Sequence, residues 1–354
     1  MSERPVIQPW SAKIVAIRTQ IIFSAIIPAA LLALVVLTTQ IDFSLALIAV
    51  FLPAQLICAG FVGYSNFSGR GIKDSVLLVL VYFFSAMVFV LLMSVLFSVI
   101  AKGFSAISPH FLYENNKYVS STTTLEYGGV GHAILGTLLI VALTTIVAVP
   151  LGIAMAVYLT QSQAKHLGLV RTVTQALSGL PSVVSGLFIL SLMPVLHLER
   201  SGLTGALALF PLMLPTVARV AEESLKLVPA DLRLAALALG APNYRAFFQV
   251  ILPAAKSGII TALLLGLARV VGETAPLILT TNANNGTNGN PFEGGIASLP
   301  TFVYSFLGSG YATSQQRAWG GALVLLMLVG VLFASARIFG RTKSLKSKSK
   351  GKKK

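Results

Sequence analysis

The sequence predicts an all-α, polytopic membrane helix bundle of about eight transmembrane helices, with one long loop on its basic side. Three observations predict it. Apolar runs long enough to cross a bilayer, roughly 18–20 residues or more, recur along the chain. Only 10% of its 354 residues are charged and 55% are hydrophobic, against about 25% charged in a soluble domain. So apolar a chain cannot cover a water-facing surface and needs membrane lipid around most of its perimeter. Finally, the connections between the apolar runs alternate between rich and poor in lysine and arginine.

The apolar runs fall at about 20–40, 44–65, 73–100, 131–159, 172–196, 203–226, 254–281 and 319–340. Arg4, Lys13 and Arg18 precede the first, which is long and lacks a small-x-small cleavage site. It therefore reads as a retained helix rather than a signal peptide. Arg70 and Lys73 lie between the second and third runs, and Lys165 and Arg171 between the fourth and fifth. Lys226, Arg233, Arg245 and Lys256 lie between the sixth and seventh, and seven lysines from Lys343 to Lys354 follow the eighth. On the other side are Lys102 and Lys117 in the loop 101–130, Arg200 between the fifth and sixth runs, and Arg317 in the loop 282–318. The positive-inside rule then places both termini in the cytoplasm of a multi-pass protein of the cytoplasmic (inner) cell membrane. The outer loops are rich in Ser, Thr, Asn and Gly. Asn285-Gly286-Thr287 within them is a glycosylation-type tripeptide that arises readily by chance.

A net charge of +15 would suggest nucleic acid in a soluble protein, but here the lysines flank an apolar run, so no nucleic-acid partner is expected. Cys58 is the single cysteine, which excludes an intrachain disulfide. His110, His132, His166 and His197 are scattered without metal-ligand spacing, so no metal site is expected. The chain has no Gly-x-x-x-x-Gly-Lys-Ser/Thr loop for ATP, no HExxH and no nucleophile–base set. It reads as a chain with no catalytic residues and no cofactor of its own. ATP-driven transport would need ATP bound by partner subunits.

The longest basic-side connection, roughly 227–253, has a pattern of its own. Residues from about Ala230 to Leu239 predict a short helix with Asp231 in its first turn, where the helix dipole favours an acid. Gly240 suits the stop, and a second amphipathic segment runs into Pro253. A helix–Gly–helix at the membrane surface fits either a protein socket or the lipid interface. The stretch resembles the cytoplasmic coupling loop of ABC-importer permeases, E-A-A-x-x-x-G followed by I-x-L-P. Ala235, Ala236, Gly240 and Ile251-x-Pro253 stand at the matching spacing, with Leu234 where the family has glutamate. In that family the loop docks into a cleft of the ATPase subunit, so Ala235, Ala236, Gly240 and Pro253 are the expected coupling residues. Leu234 puts one polar contact in doubt.

Three further segments narrow the resemblance. They are Gly179-Leu180-Pro181-Ser182-Val183-Val184-Ser185-Gly186, Met213-Leu214-Pro215-Thr216-Val217-Ala218-Arg219-Val220-Ala221-Glu222-Glu223, and Ala268-Arg269-Val270-Val271-Gly272-Glu273-Thr274-Ala275-Pro276-Leu277. Together they are similar to the phosphate-specific transport permeases, the Glu-Thr-Ala-Pro ending to the PstA type. The resemblance covers about residues 75 to 340. It implies a second permease subunit of similar fold, a dimer of ATP-binding subunits and an extracytoplasmic phosphate-binding protein as partners. The chain then divides into 1–70, an N-terminal cytoplasmic segment with an extra two-helix hairpin, 71–342, the permease core, and 343–354, a basic cytoplasmic tail.

Charges inside spans are costly, about 2.5–3.5 kcal/mol on insertion scales, and should face a cavity or a partner. Arg269 falls midway along the seventh predicted span, with Glu273 one turn on and Thr274 beside it. Arg219 and Glu223 repeat the spacing near the end of the sixth. Each pair reads as self-neutralising helix glue, or for Arg219 a snorkelling side chain, or as part of a path for an oxyanion, which a guanidinium can grip through two oxygens. The resemblance favours the path for Arg269. Ser182, Ser185 and Gly186 give the fifth span a small-residue face, suited to close packing or to lining that path. The expected function is the membrane-spanning subunit of an ATP-driven phosphate importer. An ABC permease for another oxyanion or small solute stays open, and a secondary transporter is the weaker alternative, since no inverted pair of broken helices is evident.

Overall fold

The computed structural model describes residues 19–340 apart from 40 and 163, without the side chains of 67, 68, 339 and 340. The basic residues expected before the first span and the lysine tail lie outside the described residues. Among those described the chain is helical and contains no strand. It divides into two compact units, Met1–Phe97 and Ser98–Lys354.

The first unit contains helices α1 (Thr19–Thr38) and α2 (Phe43–Asn66) and most of α3 (Gly69–Ala106). Helical backbone continues through the turn between α2 and α3, where the sequence predicted a break. The chain nevertheless reverses there. A Cβ added to Gly63 would lie 2.3 Å from the carbonyl oxygen of Gly71, whereas eight residues on a straight helix span about 12 Å. Ile21, Ala59 and Val79 form one buried cluster across the three helices. The side chain of Gln55, also buried, donates to Ile21 O at 3.2 Å. The second face of α3 exposes large apolar residues such as Phe84, Phe89 and Phe97, as lipid contact requires.

In the second unit, α4 (Pro109–Tyr113) precedes α5 (Gly131–Gln161), α6 (Leu167–Ser178), α7 (Ser182–Leu192) and α8 (Gly202–Lys226). Then come α9 (Ala230–Ala238), α10 (Asn243–Ala254), α11 (Lys256–Val271), α12 (Ala275–Thr280), α13 (Leu299–Leu307) and α14 (Ala312–Gly340). Helices α5, α8 and α11 form the core. Small residues let their backbones approach. Val217 of α8, fully buried, lies between Gly152 of α5 and Gly266 of α11, whose added Cβ atoms would meet it at 2.9 and 2.6 Å. Gly258 meets Ser224 in the same way. These contacts set α11 antiparallel to α8. Thr144 against Ala206 and Gly152 against Val217 set α5 parallel to α8.

Two predicted spans are broken. The run 172–196 is two helices, α6 and α7, bent by 103°. Pro181 disfavours helical backbone at Leu180 and then serves as N-cap of α7. The run 254–281 bends by 68° between α10 and α11, stops at Gly272, and restarts as α12 with Pro276 in its first turn. Proline suits a helix start because its missing N–H has no partner there. The last span begins earlier than expected. Arg317, placed by the sequence in an external loop, lies inside α14 and is fully buried. Its guanidinium donates to Thr123 O, Thr124 O and Tyr127 O at 2.9, 2.6 and 2.7 Å. Helix α13 was not anticipated either. It is capped reciprocally by Ser298 and Thr301, and the Leu299 N–H donates to Thr137 Oγ1 of α5 at 2.8 Å.

Candidate functional site

The predicted site residues fall into three groups along the core. Arg269 sits in the last turn of α11 rather than midway along a continuous span. Glu273 is beyond the helix end, not on the same helical face, because α11 stops at Val271. The two still form an ion pair between Arg269 Nη1 and Glu273 Oε1, with the carboxylate largely covered. Thr274, partly exposed, is the N-cap of α12 and makes no side-chain cap.

The break carrying Glu273 and the break before α7 are neighbours. An added Cβ on Gly186 would lie 2.7 Å from Pro276 Cα. Ser182, the first residue of α7, is one turn before Gly186, and Glu273 is three residues before Pro276. Ser185 does not line an opening. It is buried and donates to Ala208 O at 2.5 Å. The small-residue face thus packs on α8 and α12, while Ser182 stays partly exposed.

Projecting the α8–α11 register, Arg269 lies level with about Leu214, roughly 18 Å of helix rise from Lys226. Nearer that end, Arg219 and Glu223 pair at 3.6 Å with both side chains exposed. The pair borders a cavity of about 180 Å³ whose wall includes Arg171, Gln175, Ser178, Glu222 and Lys226. Glu222 is the buried member and accepts from Arg171 Nη2 at 3.2 Å and from Lys226 Nζ at 2.5 Å. Sequence reasoning read Arg171 and Lys226 only as topology signals and missed Glu222 as a centre. The i, i+4 spacing of Glu222 and Lys226 was a visible signal. Arg171, 51 residues earlier in the chain, reaches Glu222 only through the packing of α6 on α8.

The first half of the loop, through Gly240, keeps its predicted arrangement. Helix α9 ends at Ala238, and Gly240 has φ +84°. Gly240 N–H donates to Leu237 O at 2.9 Å and Ala241 N–H to Ala236 O at 3.1 Å, the paired bonds of a Schellman stop. Ala235 and Gly240 are exposed, Ala236 is turned inward, and Leu234 is exposed. Pro253, also exposed, lies inside α10 rather than ending it. The chain bends just after it, at Ala255.

The family described as "Binding-protein-dependent transport system inner membrane component" matches residues 148–344, which include all three groups. A phosphate transport system permease protein, PstA 1, of Mycobacterium tuberculosis is 38% identical over 272 residues, 75% of this chain and 88% of the relative. The corresponding PstA protein of Pasteurella multocida is 33% identical over 282 residues, 79% of this chain and 99% of the relative. Among solved structures, an inward-facing MetNI methionine ABC transporter aligns with a TM-score of 0.47 and 20% identity, covering 60% of this chain and 93% of that one. On the family match and the extent of identity with its relatives, the chain belongs to the binding-protein-dependent transport system inner membrane components and, within them, to the PstA permeases.

Proposed function

We propose that this chain is a membrane-spanning permease subunit of an ATP-driven importer that moves inorganic phosphate across the cytoplasmic membrane. The observation that carries the reading is the Arg269–Glu273 pair, held where two broken helices meet at mid-depth in a chain of the PstA family. A guanidinium there offers donors to a tetrahedral oxyanion, and the covered carboxylate keeps it in place between passages. Broken helices are how membrane proteins present polar backbone inside a cavity without exposing it to lipid. Arg219 and Glu223 stand nearer the cytoplasmic end of the same route, with Ser182 and Thr274 at the breaks.

The loop from Leu227 to Pro253 faces the cytoplasm together with both termini. It is the contact for a dimer of ATP-binding subunits. Ala235, Gly240 and Pro253 offer its exposed surface, and Ala236 is turned inward. A second permease of similar fold completes the pore, an extracytoplasmic phosphate-binding protein delivers the substrate, and ATP binds only to the partner subunits. Residues 1–70 form an additional segment and hairpin ahead of the 71–342 core, and 343–354 a basic tail toward anionic lipid.

The test is uptake of labelled phosphate in cells lacking other phosphate importers, with the partner subunits co-expressed. Saturable uptake that survives excess sulfate supports phosphate as the substrate. A well-assembled complex that imports no phosphate would refute it.

A further inference from the structure

We propose that the cavity between α6 and α8 is a second oxyanion site, on the cytoplasmic side, where phosphate takes the place of the carboxylates that Arg171 and Arg219 now hold. The inference rests on the phosphate-importer reading and adds a release station to it.

The wall carries three cations, Arg171, Arg219 and Lys226, against two carboxylates, Glu222 and Glu223. Without a ligand it is one charge short of neutral, which invites an anion. The cationic side chains are half-exposed or more, while Glu222 is held in the protein. The donors are therefore free to turn and the counter-charge is fixed. Arg171 uses only Nη2 and Arg219 only Nε in their ion pairs, so among the described residues each fork keeps donor nitrogens uncommitted. Gln175 and Ser178 add neutral hydrogen-bonding groups from α6. The volume of about 180 Å³ equals roughly six waters at about 30 Å³ each, which accommodates a five-heavy-atom oxyanion with part of its hydration shell.

The carboxylates give the site its release property. A departing phosphate leaves behind cations that re-pair with Glu222 and Glu223, so a single charge is left uncompensated. Glu222 lies in the last turn of α8, next to the 227–253 loop, and Arg171 lies on the separate helix α6. A displacement of the loop therefore acts on one half of the site and not on the other.

The experiment is arginine modification by phenylglyoxal in the assembled transporter, held in nanodiscs of zwitterionic lipid and read by peptide mass mapping. Inorganic phosphate should slow the modification of Arg171 and Arg219 several-fold relative to chloride at equal ionic strength, leaving Arg233 and Arg245 unchanged. Glu222→Gln should lower the half-protecting phosphate concentration about tenfold. The wild-type comparison stands alone should that variant fail to assemble. Equal rates in phosphate and chloride, or protection by anionic lipid but not by free phosphate, would overturn the site. Uptake by the same complex reconstituted in sealed liposomes, without protection in the nanodiscs, would sink this site and spare the importer reading. Protection without uptake would do the reverse.

Discussion

Arg269 and Glu273 are ion-paired although the helix that carries Arg269 ends between them. An ordinary i, i+4 pair on one helix moves as a unit. Here the carboxylate belongs to the Gly272–Thr274 break, next to the contact of Gly186 with Pro276. Any shift of α7 against α12 therefore changes how tightly the guanidinium is held.

Glu273→Gln should keep the fold and loosen Arg269, lowering uptake about tenfold or more, the equivalent of losing a charge-assisted bond of roughly 1.5–3 kcal/mol. Arg269→Lys should not substitute for arginine, because an ammonium cannot offer the two-pronged grip. Initial uptake rates at matched membrane abundance check both. Full activity in either variant would make the pair simple helix glue.

Gly240 has open space where a Cβ would go, so substitution there acts through backbone strain at φ +84° and not through crowding. Gly240→Val should cost about 1–2 kcal/mol locally, disorder the Schellman stop and reduce co-purification of the ATP-binding subunit while the protein remains in the membrane. Gly240→Asn should be milder, since asparagine tolerates the left-handed region. Undiminished co-purification and transport in the valine variant would remove the loop from coupling.

The sandwich of Val217 between Gly152 and Gly266 predicts coupled packing effects. Gly152→Val or Gly266→Val should each destabilise by about 1–3 kcal/mol through overpacking. Val217→Ala should recover part of the loss in either double mutant. Thermal unfolding in detergent measures this, and strict additivity would contradict the geometry.

Arg317 fastens the 123–127 segment to α14 through three carbonyl acceptors. Arg317→Ala should remove three charge-assisted bonds to carbonyls of a partly exposed segment, whose places water can take. The visible effect should be faster proteolysis of the 115–127 loop in intact cells or oriented vesicles, with Arg317→Lys intermediate. Unchanged cleavage would mean the loop is held by other contacts.

Much of this architecture was legible in the sequence, and the parts that were not share a cause. Hydropathy marks a stretch as apolar but does not report its direction, so 172–196 and 254–281 read as single spans. Pro181, Gly272 and Pro276 were visible punctuation, but apolar residues on either side masked them. The Ala230–Ala238 helix and its Gly240 stop were readable because capping is local chemistry. Arg171 on Glu222 and Arg317 on the 123–127 carbonyls were not, because each joins distant segments through packing. Arg317 also misled, since a lone arginine beside a polar loop looks like a solvated one.

The most direct test of the central claim is labelled-phosphate uptake by wild type and Arg269→Ala, co-expressed with the partner subunits and compared at equal membrane abundance. The account predicts saturable, sulfate-insensitive uptake in wild type and its collapse in the variant, with assembly intact. Equal uptake by the two proteins would contradict the assignment of Arg269 to the phosphate path.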